Sequence, residues 1–354
     1  MEYIDILDEA PFVPDVKHPI VKNEEQKQSN SNLIVRPDNS PIVEQRTDSS
    51  CNPFIEANTI ECYLSEIQQQ HIIPVWMKDN EPLISTADFI QTVSLVTKDV
   101  FHGEHILHPS VRVSHPIKGR IPSAKDKPAH LLSDDEKTLY YERMMFCIEI
   151  PSIQSNVEGN QLSLMVGGVK SYGEDNLYQR SGGDQHFKIF VGFKNSVCTN
   201  LCVWSDGYTG NLVVKNKEDL QLAIQLLLQK YNSSQHLEQM QQLSDYSITE
   251  QQFAQLVGRC RMYQYLPSGL KQSIPPLLFG ENQMGAIVKD FYRDKNFSKL
   301  SNGSINLWRL YNLFTGVNKS SYIDTFLDRS VNAFDFVGQI QKSLDESFNN
   351  WYLN

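Results

Sequence analysis

Between Phe187 and Phe193 the side chains alternate without a break: Phe187, Ile189, Val191 and Phe193 point one way, Lys188, Phe190 and Gly192 the other. A period of two admits a β-strand and excludes an amphipathic helix, whose apolar positions recur every three or four residues. Such a strand needs paired neighbours. Met145–Ile150 and Gln161–Val169 read as strands before it, with Val111, Val113 and Ile117 alternating or nearly so further upstream. Ser196–Val203 and Gly210–Val214 read as strands after it. The links between them are short, rich in Gly, Asn and Asp, and contain no helix, which predicts a mostly antiparallel sheet.

Helical spacing brackets this block. Ile60, Tyr63, Leu64 and Ile67 share a helix face, and Ser85 is the natural N-cap of a helix whose stripe, Phe89, Ile90, Val93, Val96, Thr97 and Val100, ends before Gly103. Downstream of Glu218, Leu220, Ile224, Leu227 and Leu228 open a second helical region. Thr249 precedes another helix, through Phe253, Leu256, Val257 and Cys260, and further helices are expected over Gln283–Tyr292, Ser304–Phe314 and Asp328–Trp351. The expected fold class is α+β: a mostly antiparallel central sheet, preceded by one or two helices and followed by a helical C-terminal layer.

The expected boundaries are a disordered acidic and polar arm over 1–57, an α+β core over 58–217, and a helical region over 218–354 packed on or beside it. The arm is rich in Asn, Ser, Gln, Glu, Asp and Pro, and such a segment buries too little surface to offset the entropy of ordering. Within it, Tyr3, Ile4, Ile6, Leu7, Pro11, Phe12 and Val13, interleaved with acids, suit a short docking segment for a protein partner; a frayed acidic terminus is the alternative.

A formal net charge of −10 argues against a chain that coats nucleic acid or anionic membrane with its whole surface, although a local basic groove is still allowed. No run approaches the ~20 consecutive apolar residues of a membrane span, and the acidic N-terminus lacks the basic start of a secretory signal. A cytoplasmic protein with no membrane partner is expected, its six cysteines as free thiols.

Three constellations could carry chemistry. His102, His105 and His108 are spaced by three, yet Gly103 and Pro109 oppose the continuous helix that would gather them round a metal, so surface histidines are the alternative reading. Cys198 could serve as a nucleophile with His186 as base and Asp175, Asp184 or Asp206 as orienting acid, in a hydrolase or nuclease. Against this, Cys198 and Cys202 also suit buried small hydrophobes. Gly167-Gly168 and Gly182-Gly183 lie beside Lys170 and Arg180 without completing a Walker pattern, and structural turns explain the glycines more simply. Lys170, Arg180, His186, Lys188 and Lys194 nonetheless fall in one β-rich segment with Tyr172 and Tyr178 interleaved. Cations and aromatics on one strand face are how many proteins hold single-stranded nucleic acid, whereas an ordinary solvated sheet face is the competing reading. No cofactor is implied, and nothing in the sequence sets an oligomeric state.

Lys194-Asn195-Ser196-Val197-Cys198-Thr199-Asn200-Leu201 resembles the Arg-Val-Val-Cys-x-Asn segment of the phage/plasmid-like proteins of unknown function, family 932. Leu307-Trp308-Arg309-Leu310-Tyr311-Asn312, with Asp328-Arg329 beyond, looks like that family's leucine-tryptophan-tyrosine-asparagine helix. The longer pattern, including His71–Val75 and Asp79-Asn80-Glu81 before Ser85, is closer to a related uncharacterised family of bacterial mobile elements, domain of unknown function family 3871. The resemblance runs from about Asn58 to the C-terminus. Where the wider family carries a Ser-His-Asp-Gly-Ser turn, this chain has Ser171-Tyr172-Gly173-Glu174, without the histidine. The resemblance implies genomic context and fold more than a reaction: an accessory protein of a mobile element, binding single-stranded nucleic acid or a replication or recombination partner.

Overall fold

A computed structural model describes residues 53–70, 84–175, 185–345 and 349–353, all within one compact unit, Val43–Asn354. Its centre is a six-stranded antiparallel sheet built from β1 (Ile60–Cys62), β2 (Ser110–Val113), β5 (Arg143–Val157), β6 (Asn160–Ser171), β7 (Gln185–Asn195) and β8 (Leu201–Val214), in the order β1-β2-β5-β6-β7-β8. Two further strands, β3 (Pro116–Arg120) and β4 (Lys137–Tyr141), form a separate two-stranded antiparallel ribbon.

Both faces of the sheet are buried. On one, Phe146, Ile148, Leu164, Val166, Phe187, Ile189, Val191 and Phe193 form the main core. The other gathers Met145, Cys147, Met165, Val169, Phe190 and Val203. Double burial explains why β7 is apolar on its second face at Phe190; each fully buried phenylalanine contributes about 1.5–3 kcal/mol of hydrophobic stabilisation. The glycine pair of β6 is part of this packing. Gly167 and Gly168 lie in mid-strand, not in a turn: a Cβ on Gly168 would stand 2.5 Å from the Phe89 ring and 2.7 Å from the Lys188 carbonyl oxygen.

Helices α1 (Leu64–Gln70) and α2 (Thr86–Val100) precede most of the sheet. Ser85 caps α2 as expected: its Oγ accepts from the Asp88 N–H at 2.9 Å, and Asp88 Oδ2 accepts from the Ser85 N–H at 3.3 Å. Beyond the end of α2, Gly103 has φ +90°, a conformation L side chains rarely adopt. Phe89, Ile90, Val93 and Val96 bury against the main-core face, as do Leu220, Ile224, Leu227 and Leu228 of α3 (Lys217–Lys230).

The C-terminal layer comprises α4 (Ser233–Gln242), α5 (Glu250–Tyr263), α6 (Ser268–Lys271), α7 (Glu281–Arg293), α8 (Leu307–Asn318) and α9 (Ile323–Asp345). A small ladder, β9 (Ser247–Ile248) with β10 (Ile305–Asn306), joins its parts. Helix α8 is buried nearly all round, more than the single apolar face read from sequence. Helix α9 serves both sides: Ile323, Phe326 and Leu327 cover the second sheet face, while Ala333, Phe336, Val337 and Ile340 join the main core. Among the described residues no helix is long and apolar enough to cross a membrane.

Two sequence expectations change. The segment at Ile60 begins as strand β1 before turning into α1 at Leu64. Ser196–Asn200 is a tight turn and not a strand: Thr199 adopts φ +58° and donates its N–H to the Asn195 carbonyl at 2.8 Å, and only from Leu201 does β8 run, bulged but unbroken, to Val214.

Candidate functional site

The described lysines of the sheet do not make a solvated cationic face. Because Val169 stands opposite Lys188, strand alternation sends Lys170 to one face and Lys188 and Lys194 to the other. Lys170 is fully buried. Its Nζ lies 2.5 Å from Asp175 Oδ2, donates to the His186 carbonyl at 3.2 Å and sits 4.1 Å from the centre of the Phe187 ring. Burial holds its ammonium below the ordinary lysine range, partly offset by Asp175. The other Asp175 oxygen accepts the His186 N–H at 2.7 Å, so the carboxylate ties the ends of β6 and β7 together. Tyr172 is buried beside them, against Tyr140.

On the opposite face each lysine meets acid. Lys188 Nζ donates to Asp328 Oδ2 at 2.9 Å and to the Asp324 carbonyl at 2.6 Å, pinning α9 to the sheet. Lys194 Nζ lies 2.5 Å from Glu149 Oε2, and the Ser163 hydroxyl donates to Glu149 Oε1 at 2.8 Å. Tyr178, Arg180, Asp184 and the 182–183 glycines lie outside the described residues, as do the docking segment Tyr3–Val13 and the 71–81 pattern.

The nucleophile constellation is only partly assembled: His186 Nδ1 lies 3.7 Å from Asp175 Oδ1, but that carboxylate is held by Lys170 and the backbone of β7, and Cys198 is remote. His186 stands at the start of β7 and Cys198 beyond its end, roughly 30 Å apart at ~3.3 Å per strand residue. Asp206 lies in the bulged part of β8, whereas the residue paired with His186 is Val213. Burial pushes the Cys198 thiol up to about 11, leaving on the order of one molecule in ten thousand as thiolate at neutral pH. His102, His105 and His108 follow the end of α2 around Gly103, and among the described residues no group of three or more His, Cys, Asp or Glu is placed to hold a metal.

What the structure does bring together is the pair of segments that carry the family resemblance. Asn195 Nδ2 donates to Asn312 Oδ1 at 3.2 Å, Asn200 Nδ2 donates to the Asn312 carbonyl at 3.1 Å, and Asn312 Nδ2 donates to the Trp308 carbonyl at 2.9 Å. Lys319 Nζ donates to the Cys198 carbonyl and, at 2.8 Å, to Thr199 Oγ1. All three asparagines are buried, so each hydrogen bond removes a desolvation penalty, and the cluster fastens the β7–β8 turn to α8.

A solvent-facing surface of different character lies on the C-terminal layer. Between Glu250 and Glu281 the chain has thirty residues and no acid, although 42 acids in 354 residues would place three or four there. The stretch carries Arg259, Arg261 and Lys271 beside Met262, Tyr265 and Leu270, all three exposed; Tyr265 is 79% exposed. It borders an open groove of about 530 Å³ lined by residues including Leu266, Leu270, Ser273, Ile274, Asn350 and Trp351. The Arg259 guanidinium lies 5.0 Å from the centre of the Trp351 ring, and Lys271 Nζ lies 5.1 Å from that of Tyr263. Arg261 pairs with Glu281, but both side chains are well exposed, and such a pair exchanges partners at small cost. Sequence reasoning passed over this surface because its signal is a gap, the missing acids, and because Trp351 arrives from the far end of the chain.

No curated protein and no solved structure matches this chain. The family model described as "Domain of unknown function, B. Theta Gene description (DUF3871)" matches residues 36–353, nearly the whole sequence, and the chain belongs to that family.

Proposed function

We propose that this chain is a non-catalytic accessory protein that binds single-stranded nucleic acid along the groove beside α5 and α6. The observation that carries the reading is the acid-free stretch between Glu250 and Glu281, with the Trp351 ring lining the groove and Tyr265 exposed next to its lining residue Leu266, on a protein of net charge −10. Cations there attract phosphate while acids elsewhere repel it, which confines binding to this strip. Bases stack on aromatic faces whatever their sequence, each stack being worth about 1–3 kcal/mol. Ser273 supplies a polar contact at the groove wall. In this reading the protein is cytoplasmic and serves a bacterial mobile element, as the resemblance to the phage/plasmid-like proteins implies.

The test is fluorescence anisotropy of a labelled oligothymidine strand across a salt series. Arg261→Ala with Lys271→Ala is expected to lower the salt slope by about 1.4, two phosphates at ~0.7 each, and Tyr265→Ala to weaken binding roughly 5- to 150-fold with the slope unchanged. Absence of strand binding by the unaltered protein at low salt, or wild-type affinity in both variants, refutes it.

A further inference from the structure

The β3–β4 ribbon continues the β2–β5 pair past the end of the sheet. The Ser114 N–H donates to the Arg143 carbonyl at 2.9 Å, and the Tyr172 N–H donates to the Glu142 carbonyl at 2.9 Å, so its base is fixed to β5 and β6. Its register sorts the side chains. Pro116 faces Tyr141, Lys118 faces Leu139 and Arg120 faces Lys137 on one side; Ile117 faces Tyr140 and Gly119 faces Thr138 on the other. Tyr140 turns toward Tyr172, so the Ile117 side looks back to the sheet end and the Lys118 side carries the charge.

That charged side breaks a rule of strand pairing. Arg120 and Lys137 stand directly opposite each other, and like charges in that position destabilise a sheet. Their partners are peripheral. The Arg120 guanidinium donates to the carbonyls of Lys125 and Lys127, which fix its direction without cancelling its charge. Lys137 has an exposed Asp134 at 2.8 Å, a pair that water screens. Lys118 is exposed opposite a leucine. Of the acids at the ribbon's tip, Glu136 is taken up by Lys127 Nζ at 2.6 Å and the Ser133 N–H at 2.9 Å, while Asp126 and Asp135 are exposed on the loop beyond the paired strands. The arrangement concentrates three cations on one face of a ribbon at the cost of local repulsion, which an incoming polyanion would relieve.

We infer that the Lys118, Arg120 and Lys137 face of this ribbon holds the phosphates of duplex DNA. A two-stranded ribbon fits the ~12 Å major groove of B-form DNA, and its phosphates lie along both walls. The ribbon and the α5–α6 groove are then two contacts for two forms of nucleic acid. If the groove reading holds as well, the preferred ligand is a duplex with a single-stranded tail; that last step rests on the proposed function, whereas the ribbon assignment does not.

The experiment measures full-length protein against a blunt DNA duplex, a single strand and a tailed duplex. Lys118→Ala with Lys137→Ala leaves the Arg120 carbonyl contacts in place and is checked for an unchanged melting temperature. It is expected to lower the salt slope for the duplex by about 1.8 and its affinity at 0.1 M salt roughly ten- to a hundredfold, leaving the single strand unaffected. Failure of the unaltered protein to bind the duplex at 50 mM salt overturns the inference, as does a duplex slope that this variant leaves unchanged. Loss of duplex binding in the variant, beside a wild type that ignores the single strand, upholds the ribbon and removes the groove reading instead.

Discussion

Replacing Asp175 with asparagine should be the most damaging single polar change in the sheet. Asp175→Asn keeps shape and removes the only carboxylate within bonding reach of Lys170 Nζ among the described residues, leaving the His186 carbonyl as its oxygen partner. Breaking a buried pair in this way costs about 3–5 kcal/mol. The lysine itself sets the ceiling: shedding its proton at pH 7, against an ordinary 10.5, costs about 5 kcal/mol, so Lys170 becomes neutral before the loss exceeds that. Above the pH at which the folded variant sheds that proton, and up to about 10.5, it binds one proton fewer than the unfolded chain. Its stability must rise with pH over that range, by up to about 1.4 kcal/mol per unit, so from pH 7 to pH 9 it gains at most about 2.7 kcal/mol, less whatever the unaltered protein gains. The unaltered protein, whose Lys170 is lowered less because Asp175 opposes burial, has the same sign and a smaller slope. Urea unfolding followed by far-ultraviolet circular dichroism at both pH values measures this directly. Adding Lys170→Met to Asp175→Asn should bring stability back to within about 1.5 kcal/mol of the original, since an apolar chain fits where a neutralised pair stood. A loss under about 1 kcal/mol at pH 7, or one that does not shrink at pH 9, would refute the account of Lys170 as a buried, charged fastening.

Two further outcomes follow from packing and ionisation. Cys198 should react slowly with a disulfide reagent at neutral pH, its rate climbing tenfold per unit until about pH 11, while Cys198→Ala leaves nucleic-acid binding unchanged; fast labelling at pH 7 would contradict the burial seen here. Gly168→Ala should cost about 1–3 kcal/mol in urea unfolding, because its methyl group enters the Phe89 ring, and Phe89→Leu should recover part of that in the double variant.

The period-two stripe of β7 and the capped, period-3.6 stripe of α2 were legible because each pattern reports a local backbone geometry. The β7–β8 turn was not: Val197, Thr199, Leu201 and Val203 alternate like a strand, and only the asparagine contacts to α8 and the left-handed Thr199 reveal the reversal. The lysines failed for a related reason. The reading gathered Lys170, Lys188 and Lys194 into one cationic segment, whereas strand alternation turns Lys170 to the opposite face, and whether the Lys188 face meets water depends on α9, which brings Asp324 and Asp328 from about 140 residues away. The groove was illegible in one window because Trp351 reaches it only by tertiary packing. Its electrostatic half, the run without acids, was present in the sequence all along.

The contact of Lys188 with Asp328 spans 140 positions, and that of Asn195 with Asn312 spans 117. During synthesis at ~5–20 residues per second, the sheet therefore waits roughly 7–28 seconds between the making of β7 and the arrival of the helix that covers its second face. For that interval Met165, Phe190 and Val203 have no lid, and Lys188 has no Asp328. A nascent chain in this state is a substrate for ribosome-associated chaperones, and a message truncated before Ile323 yields a product that cannot complete its own interior.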